Sequence, residues 1–530
     1  MGLRTKICCL LYLSCFFATK NYAQGGLFTD WDLALKNPLQ VEHLDLHNQS
    51  LTQIPPEISR FKRLKTLNLS YNLLTDLPKE LFLLDSLNQL NLGNNELSKI
   101  TDDITKLQQL TELDLRDNKI LTISAQIGKL QRLENLILRY NQLEKVPKEL
   151  FNLHTLTKLD LSSNRFGELN PLLGKLTNLE KLDLSSNQFQ DIPEFIGNLT
   201  KLTKLDFNDN QISSVHPAVK NLQQLQSFDL QYNQLTDLPQ EFAQLKQLNK
   251  LYLNGNRLKN IPKVVFELEN LTILDLKWNE ITAINPEIKQ LKRLETLILF
   301  NNRLKNLPAE MGELTQLAIL NVGENQLVSL PASIQLLQNL QELNLWDNQI
   351  EELPAGFAQL QGLVGLDLGK NKLKKIPADL WALAKLKQLS LTHNRIDSIN
   401  AKGQTAPNLE VLDLSQNQIA HISDNWANFP QLKNLNLSKN QLNAIPSCFC
   451  GFNRLKQINL WANAITELPQ CVSGWQELET INLSNNLLAE LPPRLLRLPR
   501  LQRVKIAQND FPATLRSDWE QNYPKINFEE

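Results

Sequence analysis

Residues 64–86 read LKTLNLSYNLLTDLPKELFLLDS, and variants of this one 23-residue phrase fill nearly the whole chain. Leu64, Leu67, Leu69, Asn72 and Leu74 make its first half; Leu77 and Pro78 open its second. The Asn returns every 23 residues from Asn72 to Asn509, and Gln49 holds the same place one step earlier. Twenty steps of 23 residues separate Gln49 from Asn509, so there are 21 coils, with no insertion or deletion between them. A chain of 530 residues would ordinarily be divided into about three domains, but a strict internal period overrides that expectation.

Elementary chemistry gives each position its role. In Leu67-Asn68-Leu69 the apolar residues alternate with period two, which predicts a short strand with both leucines on one face. Strands of successive coils then stack into a parallel sheet. At Asn72 the chain turns away from the sheet, where backbone amides would otherwise go unpaired. An Asn side chain donates and accepts at once, so a column of them can satisfy backbone groups of its own coil and the next. The second half returns as a short helical or irregular turn. Pro suits the start of such a turn and stands there in 13 coils, among them Pro78, Pro147, Pro239, Pro354 and Pro492. Thr101, Ser124, Asn170, His216, Asn285, Asn400 and Ser423 replace it elsewhere, mostly residues that cap helix starts. No coil can bury its own leucines, so stability must come from neighbours and from caps at the ends.

The pattern Leu-x-x-Leu-x-Leu-x-x-Asn-x-Leu-x-x-Leu-Pro-x-x-Ile-x-x-Leu, over residues 41–511, resembles the typical 23-residue class of the leucine-rich-repeat family. The resemblance implies an α/β solenoid. This would be a right-handed, curved superhelix of 21 coils, with a parallel β-sheet on the concave side and short helical or irregular segments on the convex side. It also implies a protein that is not an enzyme and binds a protein partner through the concave face. Neither end carries the cysteine clusters of many animal extracellular members, which points to a bacterial or other non-animal exported member.

Residues 24–40 are read as an N-terminal cap, with Thr29 or Asp30 starting a short helix that carries Trp31, Leu33 and Leu35. Residues 512–530, with Trp519, Tyr523, Ile526 and Phe528, are read as the C-terminal cap. Residues 1–23 read as a secretory leader: Arg4 and Lys6 precede an apolar run over 7–18, and Ala23 stands before Gln24. The run is shorter than the ~20 apolar residues a membrane span needs, and no later segment is a candidate. Export to the periplasm, cell surface or medium follows. A cytoplasmic signalling scaffold is the alternative if the leader is retained, and Cys15 is where a lipid anchor would attach.

Lys and Arg number 55 against 56 Asp and Glu, which offers no general field for nucleic acid. No nucleophile–base pair, phosphate loop or metal cluster stands out, so no cofactor or metal is expected. His43, Asp45 and His47 face outward on the first strand, but the two His are too far apart along a strand to share a metal. Asp160, Asp183, Asp206 and Asp229 form one outward column, and Lys158, Lys181, Lys204 and Lys250 form the column beside it. The expected arrangement is a ladder in which each column neutralises the other. Cys448 and Cys471 are 23 residues apart, in equivalent places of adjacent coils, and are the candidate disulfide; Cys450 would stay free.

Apolar residues between the inward leucines serve no core and are therefore informative. They concentrate in the middle coils. Tyr252, Ile273, Ile298, Phe300, Ile319 and Trp346 point outward from the sheet, with Tyr232 and Trp278 at strand exits beside them. Ile137 with Tyr140, and Trp461, are smaller outliers. Aromatic anchors in a polar rim are the make-up of a binding hot spot. The candidate partner is a protein. A glycan stacking on the same rings, as in a cell-envelope adhesin, is the alternative.

Overall fold

The computed structural model describes residues 26–399, 406–423, 426 and 429–529. The leader reading and Asn400 lie outside them. The chain forms two compact units that meet in sequence at Asp229 and Leu230. In the first unit, parallel strands run from Leu27–Phe28 and His43–Asp45 through Thr66–Asn68 to Ser227–Asp229. In the second they run from Lys250–Tyr252 to Asn527–Glu529. Register is locked at 23: Leu182 pairs with Leu159 and Leu205, and Leu297 with Leu274 and Leu320. The central residue of each three-residue strand is buried and its two flanking residues face outward, as period two requires.

The ladder Asn works as chemistry demands, with one difference of direction. Asn95 Oδ1 accepts the Leu74 N–H at 3.0 Å, while its Nδ2 donates to the carbonyls of Leu69 and Leu92, each at 3.0 Å. Each Asn thus ties its own coil to the preceding coil, not to the next. Gln49 lacks a place in that ladder and donates instead to the Thr29 carbonyl of the cap at 3.0 Å. The residue before each ladder position has φ near +50°, among them Tyr71, Tyr232 and Trp278. Side chains at these strand exits are therefore held on a left-handed backbone that L-residues adopt at a cost of roughly 1 kcal/mol.

Most of the described returning segments are five-residue 3-10 turns, such as Lys79–Leu83 and Lys148–Asn152, whereas Pro493–Leu496 is one α-helical turn. Pro78 and Pro147 stand one residue before the turn, in extended backbone. The Pro78 carbonyl accepts the Leu81 N–H at 3.1 Å. Where Pro is absent, Ser124, Asn170 and His216 cap the turn with their side chains, whereas Thr101 and Asn285 do not. At the N-terminal end, Asp30 caps the helix Trp31–Lys36; its buried residue is Ala34, and Leu33 is exposed. At the other end, the helix Ala513–Asn522 brings Trp519 against Phe511 and Phe528.

The disulfide differs from the expected pair. Cys471 is bonded to Cys450, with Cα atoms 5.6 Å apart, and Cys448 stands outside the disulfide. Equal position in two coils is not the closest approach on this side of the solenoid. The fourth residue of one turn meets the second residue of the next, 21 residues on. A Cβ at Gly128 would collide with Glu149, one at Gly197 with Ala218 and one at Gly312 with Ser333. Cys450 and Cys471 occupy these same two places. Second-position side chains lean toward the preceding coil, so Cys448 Sγ sits 3.8 Å from the Ser423 carbonyl, away from Cys471.

Candidate functional site

The first coils of the second unit gather all eight outward apolar residues. Tyr232, Trp278 and Ile319 are exposed, and the other five are half-buried. Register places them in columns. Lys250, Ile273, Thr296, Ile319 and Glu342 follow one another in the first, and Tyr252, Asp275, Ile298 and Asn321 in the second. Phe300, Gly323, Trp346 and Gly369 form the third; Tyr232, Gly255, Trp278 and Asn301 the fourth. In every column the large residues alternate with smaller or polar ones, so each ring has room to lie down.

Glycine is what lets them. A Cβ at Gly323 would stand 3.0 Å from Phe300 Cδ2, one at Gly369 2.8 Å from Trp346 Cδ1, and one at Gly255 2.6 Å from Tyr232 Cδ1. Three aromatic side chains therefore rest on a bare backbone one coil further on. Phe300 and Trp346 run nearly parallel, 13° apart with centroids at 6.5 Å, and Tyr232 meets Trp278 at 5.7 Å. Lys277 Nζ lies 5.3 Å from the Trp278 ring centre and Lys370 Nζ 5.1 Å from that of Trp346, within cation–π reach. These glycines escaped sequence reasoning, although their signal, a Gly one period after an aromatic, was present.

A second missed signal concerns the third residue of each strand. It is usually Asp or Asn because its side-chain oxygen accepts the N–H two residues on. Asp275 does so for Lys277 at 3.1 Å, Asn321 for Gly323 at 3.2 Å, Asn344 for Trp346 at 2.9 Å and Asp367 for Gly369 at 2.8 Å. This is a turn that Asx residues make and hydrocarbons cannot. Ile298, in the patch, and Ile137, beside Tyr140, give up that bond. Asn254, fully buried in the same region, donates to Gln231 Oε1 at 3.0 Å, while its own Oδ1 has no donor among the described residues.

The acidic column of the first unit is in register, Asp160 with Asp183 and Asp183 with Asp206. The expected pairing with the Lys column is seen in part. Lys204 approaches Asp206 at 3.4 Å, but Asp160 and Asp183 turn to the strand exit, where Ser162 and Ser185 each donate both N–H and O–H. Burial, with Asp206 and Asp160 on either side, pushes the Asp183 carboxyl up to about 7. His43 bonds Thr66 at 2.8 Å and His47 bonds Asp45 at 2.9 Å. Both are thus tied into the sheet face. No helix among the described residues is long and apolar enough to cross a membrane.

Known proteins give this geometry its context. No curated protein matches the chain. Among solved structures it is similar to YopM from Yersinia enterocolitica, at 26% identity over 89% of this chain and 93% of that one, with a TM-score of 0.68. It is also similar to the plant peptide hormone receptor RGFR1 in complex with RGF2, at 26% identity over 92% and 89%, with a TM-score of 0.63. The Arabidopsis receptor kinase HAESA, solved with the peptide hormone IDA and a co-receptor, follows at 25% identity over 84% and 83%, with a TM-score of 0.56. Models described as "Leucine rich repeat" match residues 39–97, 62–120, 200–258, 246–304, 292–350, 338–396 and 407–465, and one described as "Leucine-rich repeat region" matches 98–215. With this coverage, and the coil chemistry above, the chain belongs to the leucine-rich-repeat family.

Proposed function

We propose that this chain is an exported, non-enzymatic binding protein that holds a protein partner against the outward sheet face between Tyr232 and Trp346. The observation that carries the reading is the set of rings laid on Gly255, Gly323 and Gly369. A scaffold residue has no need of a glycine under it, whereas a flat, pre-ordered aromatic floor loses little entropy on binding. Ile298 gives up a repeated hydrogen bond to stay in that floor, and Asn254 leaves a buried acceptor beside it. RGFR1 and HAESA, similar over most of their length, were each solved with a peptide ligand, which supports a polypeptide over a glycan. Export rests on the leader over residues 1–23.

The test is to identify the captured partner by mass spectrometry, purify it, and measure Kd for the wild type and for Phe300→Ala with Trp346→Ala. Two hot-spot losses of about 2 kcal/mol each predict at least a hundredfold weakening with little change in melting temperature. An unchanged Kd would remove the patch from the interface. A glycan array run beside it reports on the alternative ligand.

A further inference from the structure

The charge around the patch is uneven, and this bears on what the partner must carry. From the coil of Phe300 to the coil of Gly369, the outward positions hold Glu324, Glu342, Asp347 and Asp367 against a single cation, Lys370. Lys370 is engaged with Asp347. On the other flank, Lys277 pairs with Asp275 at 3.3 Å and Lys250 adds a second cation one strand earlier, so the acidic surplus is confined to the Trp346 side. The strand Gly365–Asp367 is the centre of it. Gly365 and Gly369 leave both of its outward neighbours without side chains, and Asp367 stands between them. Glu342 and Trp346, one coil earlier, lean onto these glycines: Glu342 Oε2 takes the place of a Cβ at Gly365, and Trp346 Cδ1 lies 2.8 Å from one at Gly369. Both glycines are buried by these two side chains. Two carboxylates and an indole thus converge on one shallow floor. Glu342 is exposed and has no ion pair among the described residues.

We infer that the partner is an extended protein segment that seats an arginine on Glu342, Trp346 and Asp367. This rests on the sheet-face reading above. Planar guanidinium stacks on an indole while its five donors reach carboxylates on two sides, which an ammonium does less well. The indole accepts cations, as Lys370 Nζ over it shows, and the guanidinium takes the place of that Nζ, which keeps its pair with Asp347. A free polyamine satisfies the carboxylates alone. The apolar floor continues beside them, because Ile319 precedes Glu342 in the same column. From the strand of Ile319 to that of Gly365 is two steps, ~10 Å, the reach of three residues of extended chain. The segment therefore carries a large apolar residue and an arginine three positions apart.

Panning a phage-displayed library of random dodecapeptides on the full chain tests this. The expected pool is enriched in arginine three positions from a large apolar residue. Its peptides bind the variant Glu342→Gln with Asp367→Asn at least tenfold more weakly. Asn occupies the Asp367 position in neighbouring coils and keeps the same backbone bond, so folding is preserved. Asp160→Asn with Asp183→Asn removes two carboxylates from the other unit and leaves binding within twofold. An empty pool, a pool without arginine, or equal loss in the two variants overturns the inference. If Phe300→Ala with Trp346→Ala still abolishes capture of the purified partner, the sheet-face reading survives that failure. If it does not, both fall.

Discussion

At the scale of single residues, two columns decide most of the chemistry. The ladder Asn was legible because its period is unbroken and its short side chain carries donor and acceptor on separate atoms. The Asx column was in plain view too, but Asp160 and Asp183 read as charges when they act first as acceptors for the next turn. This use of a carboxylate has a cost. Asp183 ionises at about 7 in the folded chain, against an ordinary value near 3.8. Between those values the folded chain keeps a proton that the unfolded chain releases. Stability therefore falls as pH rises through this window, and the loss is complete above it. Asp183→Asn keeps the turn, since Asn68 makes the same two bonds to Ser70. We expect it to stabilise the protein by on the order of 1–2 kcal/mol at pH 8 and by almost nothing at pH 4, as measured by denaturant unfolding at both pH values.

At the scale of elements, the strands were readable from alternation, and the turns were readable as turns but not in their contacts. The sequence period is 23, yet the nearest neighbours across the returning segments are 21 apart, because a 3-10 turn brings its fourth residue to the second of the next. That offset is why Cys448 and Cys471 looked paired and Cys450 and Cys471 are. Peptide mapping without reductant should recover the Cys450–Cys471 link with Cys448 alkylated. Cys448→Ser should leave the melting temperature unchanged, and Cys450→Ser should lower stability by about 3 kcal/mol. Recovery of a Cys448–Cys471 peptide would contradict the offset. The same lesson applies to the patch. Its rings were legible as outward residues, but their posture depends on Gly255, Gly323 and Gly369 one coil away, a pairing visible only when columns rather than strands are compared.

At the scale of the whole molecule, the coils within each unit are stabilised by their neighbours through the Asn ladder and a leucine core, so a coil does not change its pattern without reason. Against that regularity, a stretch that replaces polar outward residues with rings, removes side chains beneath them and collects unbalanced carboxylates at one flank is a departure that packing does not require. The sequence located the stretch. It did not show which atoms face a partner, because that depends on how side chains lean between coils. The most direct measurement places a photo-crosslinking phenylalanine analogue at position 319 or at position 328 and irradiates each with the purified partner. Ile319 and Val328 are comparably exposed, at 40% and 51%, but only Ile319 lies on the sheet face. A covalent adduct is expected from position 319 and none from 328. Adducts from 328 alone would place the partner elsewhere and contradict the sheet-face reading.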